Sequence, residues 1–310
     1  MRNVSIALSL LIVATAIQPS DAAPPITAAV FSPDGKQVVI GSQNGIEVRS
    51  WPELRVVATW KSELGHVHDL ALSPDGKRLL AAGGAPAEEG VVEVLDWPSG
   101  KLSRRVADHT DLVYRAVWSP DGKHWATASA DGTCAVFDAD TGRRQVRYEG
   151  HSRPVLAVCY LDDGKTIASA GVDQTLRLWE SATGKHLRTL DNHTGIINDL
   201  AVRPAQSAEA RAVIASVSED RTVRLWQPSI GRLMRFARLP SIPRVVAWSN
   251  DGQRLLVGCN DGRLRSLDPE TVEMTAETVG ITNRIFAIAT SPTSESIFLA
   301  GEFGEIGSAK

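Results

Sequence analysis

The sequence predicts an all-β fold, a seven-bladed β-propeller of four-stranded antiparallel blades with a last blade that has three strands of its own. Three observations carry this. A turn motif recurs seven times with a period in the low forties. Short apolar or alternating runs flank each copy, as strands require. Each period also holds two further turn signals, enough to divide it into four short strands.

The motif reads SPDGK at 32–36, 73–77 and 119–123, LDDGK at 161–165, RPAQS at 203–207, SNDGQ at 249–253 and SPTSE at 291–295, so successive copies start 41, 46, 42, 42, 46 and 42 residues apart. Proline presets φ in such a turn and glycine supplies the positive φ. Ahead of each copy stands a first strand: ITAAVF, HDLALS, YRAVWS, VLAVCY, NDLAVR, RVVAWS and IFAIAT. Behind it come a second strand such as WATASA or TIASAG and a tight turn carrying Asp131, Asp173, Asp220 or Asp261. A third strand such as TLRLWE or TVRLWQ follows, then a reverse turn (TGRR at 141–144, TGKH at 183–186, SIGR at 229–232) into a fourth. One such sheet has no core of its own, whereas seven stacked radially bury one another's faces.

Repeats with these features resemble the WD-repeat β-propeller family, which carries Gly-His before the first strand and Trp-Asp at the end of the third. Gly65-His66 and Gly150-His151 match the first element, while Asp108-His109 and Asn192-His193 keep the histidine. Trp179-Glu180 and Trp226-Gln227 keep the tryptophan of the second; Phe137-Asp138, Leu95-Asp96 and Leu267-Asp268 keep the aspartate. The resemblance covers 26–310, in repeats near 26–64, 65–107, 108–149, 150–191, 192–238, 239–279 and 280–310. It implies a buried hydrogen-bonded chain of His, Ser or Thr, Asp and Trp in each well-kept repeat. Carried over residue by residue, these are His151, Ser169, Asp173 and Trp179, then His193, Ser216, Asp220 and Trp226. The third repeat keeps His109, Thr127 and Asp131 but has Phe137, which cannot donate, and the sixth keeps only Asp261. His66 is expected in the same structural position.

Ahead of the repeats, Arg2 is followed by the apolar run Val4 to Ile17 and by Gln18-Pro19-Ser20-Asp21-Ala22, with small Ser20 and Ala22 at the −3 and −1 positions of a signal-peptidase site. Residues 1–22 are therefore expected to be a secretory signal, which places the propeller in the periplasm or outside the cell. The run is shorter than the roughly 20 residues that span a bilayer, so no stable membrane span is expected after cleavage. Cleavage bears on how the ring closes. The seventh repeat reaches only a third strand, 305–310, and Pro24-Pro25 cannot pair as a fourth. Either that blade keeps an open edge, or an uncleaved 4–17 segment fills it, or the chain is a shortened member of its family. Cys134, Cys159 and Cys259 lie in apolar segments without a CxxC pair and are expected to be buried thiols.

Lys plus Arg is 33 and Asp plus Glu is 36, a formal net charge of −3, which offers no broad positive field and argues against nucleic acid. The motifs GxSxG, HExxH, GxGxxG and Walker A are absent, so no catalytic residue, cofactor or metal is assigned. His66-Val67-His68, followed by Asp69, places two imidazoles on one strand face where they could share a metal, but His66 is expected in the structural position and His68 in a surface-facing one. The resemblance instead implies a non-catalytic scaffold for protein partners of unassigned identity and oligomeric state, the alternative being a hydrolase, oxidoreductase or small-ligand binder with its site at the channel mouth. Partner-contacting residues are expected on the Gly-His face: His68, Asp111, Tyr114, Arg115, Arg153, Val172, Asn198, Glu219 and Asn260. An insertion of about six residues at 83–92 adds Glu88 and Glu89 as exposed candidates there, and one of about five at 205–210 lies on the opposite face. Export predicts a mature chain beginning at Ala23; intact-mass measurement of exported protein that began at Met1 would contradict cleavage.

Overall fold

The computed structural model describes residues 23–205 and 211–309; the expected signal 1–22 and residues 206–210 of the second insertion lie outside the described residues. The described strands form seven antiparallel sheets. The first blade is β1 (Ala28–Phe31), β2 (Gln37–Ser42), β3 (Gly45–Ser50) and β4 (Val56–Trp60), and the second is β5 (Val67–Leu72), β6 (Arg78–Ala85), β7 (Glu89–Asp96) and β8 (Lys101–His109). The third is β9 (Val113–Trp118), β10 (His124–Ser129), β11 (Cys134–Asp138) and β12 (Arg144–Tyr148), and the fourth β13 (Val155–Tyr160), β14 (Thr166–Gly171), β15 (Leu176–Glu180) and β16 (His186–Leu190). The fifth is β17 (Ile197–Val202), β18 (Ile214–Ser218), β19 (Thr222–Gln227) and β20 (Arg232–Arg238). The sixth is β21 (Pro243–Trp248), β22 (Leu255–Cys259), β23 (Arg263–Leu267) and β24 (Met274–Val279), and the seventh is the three-stranded β25 (Ile285–Thr290), β26 (Ile297–Gly301) and β27 (Ile306–Ala309). The second blade's outer strand runs through Asp108 and His109, which the repeat boundaries had placed in the third.

Strands pair in sequence order within each blade, so every connection is a hairpin. The first of these turns is shaped by its own side chains. Ser32 donates from Oγ to Asp34 Oδ1 at 2.6 Å and accepts the amide of Gln37 at 2.9 Å, and Ser119 repeats both bonds with Asp121 and His124 at 2.6 and 3.0 Å. Gly76 supplies the turn's left-handed residue at φ 66°.

The seven innermost strands β1, β5, β9, β13, β17, β21 and β25 pack side by side, and β1 meets β25 to complete the circle. The apolar residues fall into seven clusters, and each straddles one pair of neighbouring blades. Closure rests on the cluster between the seventh and first blades, where Ile26, Phe31, Val38 and Ile40 meet Ala287, Phe298 and Ala300. The amide of Ile26 also donates to Gly301 O at 3.0 Å, so the chain is tied to the seventh blade before it enters the first. Arginines clamp two further seams. Arg78 lies over the Trp118 ring at 4.8 Å and donates to Ala139 O at 3.0 Å, and Arg203 lies over Trp248 at 5.4 Å and donates to Gly252 O at 2.8 Å.

Two expectations are corrected here. Residues 83–92 do not form a loop, because β6 and β7 continue in register to Ala85 opposite Glu89, and the insertion lengthens a hairpin. Glu89 is consequently half-buried beside Arg105 rather than freely exposed, while Glu88 stays exposed in the turn. Cys134 and Cys259 are buried, but Cys159 is only partly so, because β13 turns it into the central channel.

Candidate functional site: the buried networks and the channel mouth

In the fourth blade, His151 lies at the entry to the first strand, Ser169 on the second, Asp173 in the tight turn and Trp179 on the third. The indole N–H can only donate, and Trp179 Nε1 lies 3.1 Å from Ser169 Oγ. That hydroxyl therefore donates to His151 Nε2 at 2.8 Å, which leaves Nδ1 to donate to Asp173 Oδ2 at 2.9 Å. The fifth blade repeats the chain with Trp226, Ser216, His193 and Asp220 at 2.8, 2.7 and 2.8 Å. The third joins His109 to Thr127 at 2.7 Å and to Asp131 at 2.8 Å. Phe137 there stacks on Trp125 with centroids 4.0 Å apart, and the Trp125 indole N–H has no partner among the described residues.

Each aspartate also takes backbone and threonine donors, as when Asp220 accepts the Thr222 amide at 2.9 Å and its hydroxyl at 2.6 Å. Burial pushes the Asp220 carboxyl up, but the Thr222 and His193 hydrogen bonds outweigh it and hold the group at about 2. Asp131 and Asp173 are held below the carboxylate range for the same reasons. Burial lowers the His193 pKa below 6.5.

Blades without this chain use other solutions. His66 departs from the expected position: its Nε2 meets Thr27 Oγ1 of the first blade at 2.9 Å, and its ring stacks on His68 with centroids 4.5 Å apart. In the sixth blade Arg265, 2% exposed, donates to both oxygens of Asp261 at 3.0 and 2.7 Å; its Nε is 2.8 Å from Glu277 Oε2 without hydrogen-bond geometry. In the second, buried Glu93 accepts from Ser62 Oγ at 2.8 Å and from the Glu63 amide at 3.1 Å.

Four of the expected partner-contacting residues come together. His68, Tyr114, Arg115 and Asn198, joined by Arg244, Asp199 and Phe286, line a cavity of about 310 Å³ at the Gly-His end of the channel. Tyr114 meets the His68 ring edge to face at 5.3 Å. Burial and the neighbouring His66 lower His68 to about 4, so it presents a neutral imidazole. Arg244 donates to Asn260 Oδ1 at 2.7 Å and to Glu219 Oε1 at 3.0 Å, which ties those two residues to the rim. Asp111, Glu88, Glu89 and Arg153 do not line this cavity. Asp111 instead accepts the Ala87 amide at 2.9 Å and braces the long hairpin.

Beneath the mouth, Arg115 lies between two carboxylates, 3.5 Å from Oδ2 of partly buried Asp69 and 3.4 Å from Oδ1 of buried Asp199. The carboxylates Asp199 and Asp69 hold Arg115 charged. Each aspartate also accepts an amide of the next blade at 3.0 Å, Asp69 from Ala116 and Asp199 from Val246. Asp199 escaped the sequence reading, and Asp69 entered it only as the residue after His68. A signal was present, since Asp69, Arg115 and Asp199 each stand four residues before Ser73, Ser119 and Arg203 of the recurring turn.

A family model described as WD domain, G-beta repeat matches residues 100–138, 142–180, 184–227 and 242–267. Among curated relatives, the intraflagellar transport protein 122 homolog of Homo sapiens is 35% identical over 79 residues, 25% of this chain and 6% of that protein. The protein LST8 homolog of Drosophila melanogaster is 30% identical over 122 residues, 36% of this chain and 37% of that protein. An uncharacterized WD repeat-containing protein of Synechocystis is 26% identical over 99 residues, 32% of this chain and 28% of that protein. The matched stretches thus span well under half of each of these relatives.

Replacing Asp173 with alanine strands the His151, Ser152 and Thr175 donors and is expected to cost about 1–3 kcal/mol in urea unfolding; no measurable change would contradict the network. Stability is also expected to fall with acid. The lowered His193 pKa removes stability as pH drops below about 6.5, and the lowered Asp220 pKa removes more as pH falls from near 3.8 through about 2. Urea midpoints that rise between about pH 7 and pH 3 would refute this sign.

Proposed function

The chain belongs to the WD-repeat β-propeller family, and from that premise we propose that it is a non-catalytic platform for protein partners, exported by residues 1–22 and gripping its partner at the Gly-His mouth of the channel. Propellers of this family typically act as protein-interaction scaffolds. One observation carries the choice of site. The cavity of about 310 Å³ gathers aromatic and polar groups from five or more blades onto inner strands that cannot shift without opening a seam. His68, Tyr114 and Phe286 offer apolar surface, and Asn198, Arg115 and Arg244 offer donors. No helix among the described residues is long and apolar enough to cross a membrane.

The test is site-specific photocrosslinking in the exporting cell. A crosslinker at Tyr114 is expected to give a discrete protein adduct that is lost in a His68→Ala background, whereas one at exposed Asp163 on the opposite face gives none. A purified propeller that holds a small molecule at the mouth, with no protein adduct from Tyr114, would overturn the platform reading.

A further inference from the structure

The outermost strand of the fifth blade differs from its counterparts. β20 reads RLMRFAR and pairs on one side only, with β19. Arg232, Arg235 and Arg238 are exposed along it, and exposed Arg221 stands beside its end, where the Arg221 carbonyl accepts the Leu239 amide at 2.8 Å. Among the described residues none of these four guanidinium groups has an ion pair or a side-chain hydrogen bond. Exposed Arg55 and Arg143 also lack such partners, but they stand singly ahead of β4 and β12, and on the other outer strands the arginines are engaged. Arg104 donates to Thr141 O and Asp140 O, Arg105 pairs with Glu89, Arg144 with Asp108, Arg147 with Asp131, and Arg188 donates to Ser229 O. β20 also carries a largely exposed aromatic. Phe236 is 58% exposed with Arg224 5.7 Å from its ring, and Ile230 just before the strand is 56% exposed.

We propose that β20 is a second docking edge, which accepts an extended acidic segment of a partner protein as a fifth strand of this blade. An edge strand offers unpaired amides and carbonyls along its whole length. Arginines on it set the partner's charge, because carboxylates opposite them gain and like charges opposite them lose. A second copy of β20 would set arginine against arginine, so the occupant is not another copy of this chain. A broad polyanion such as duplex DNA fits less well, since the basic strip is one strand wide and the next blade's outer strand carries exposed Glu277 and is preceded by exposed Glu273. Phe236 and Ile230 fit apolar residues alternating with the acids. This edge lies apart from the channel mouth, and its test stands whether or not the mouth binds.

The experiment uses fluorescence anisotropy with a short labelled peptide that alternates glutamate and valine, the same peptide with alternate amides N-methylated, and a lysine–valine version. The first is expected to bind, and the N-methylated and lysine versions to bind at least about tenfold more weakly. The double variant Arg235→Glu with Arg238→Glu changes exposed residues only; it should lose the glutamate peptide and gain the lysine one. Equal binding of the N-methylated peptide would show charge attraction without strand pairing. That result, undiminished binding of the glutamate peptide by the double variant, or tighter binding of a DNA duplex than of the peptide, would overturn the proposal. Tyr114 crosslinking unchanged in the double variant keeps the two surfaces distinguishable.

Discussion

The structure depends on one constraint, that a four-stranded blade has two apolar faces and no core until it meets a neighbour on each. The seven apolar clusters are all seams between blades, so stability is a property of contacts between repeats and of the ring that makes every face find a partner. Closure is therefore indispensable at the seam where the described residues supply least strand pairing. With three strands described in the seventh blade, the seam between Phe298 and the first blade's Phe31, Val38 and Ile40 carries what strand pairing does not.

Polar groups beneath the blades answer to the same geometry. Each well-kept blade draws His, Ser and Trp into water-free positions and must give every donor an acceptor. The Trp-to-Ser-to-His-to-Asp chain does so with a single consistent proton direction. Where a residue is lost, the packing finds another solution: a stacked Phe137–Trp125 pair in the third blade, Arg265 held by two carboxylates in the sixth, and Glu93 bound to a serine and an amide in the second. The conspicuous histidines and aspartates thus do structural work, and the channel mouth and the rim remain as the surfaces proposed for partners.

Those surfaces differ in kind. The mouth is rigid and nearly self-satisfied, with Arg244 held by Asn260 and Glu219, and Arg115 held by Asp69 and Asp199. The aspartates also stitch one blade to the next through backbone amides, so ring stability and the shape of the mouth are coupled. The β20 rim is unsatisfied by contrast: among the described residues its exposed guanidinium groups have no partner and its outer edge pairs with no strand.

The blade count and the strand order were legible in the sequence because they recur at a fixed register, and a repeat makes its own alignment; the residues of the hydrogen-bonded chains followed from the resemblance to the family at the positions that match it. Single-copy features were not legible in that way. That His66 bonds to Thr27, that residues 83–92 lengthen a hairpin, and that Glu89 meets Arg105 each depend on partners that no repeat predicts. The pairing of Arg115 with Asp69 and Asp199 across the channel is the clearest case. All three sit at one position of the repeat, yet their contact exists only because the ring brings the second, third and fifth blades to a common axis. Sequence determined which residues face inward; closure of the ring decided which of them meet, because the distance across a channel is set by the number of blades and not by any local pattern.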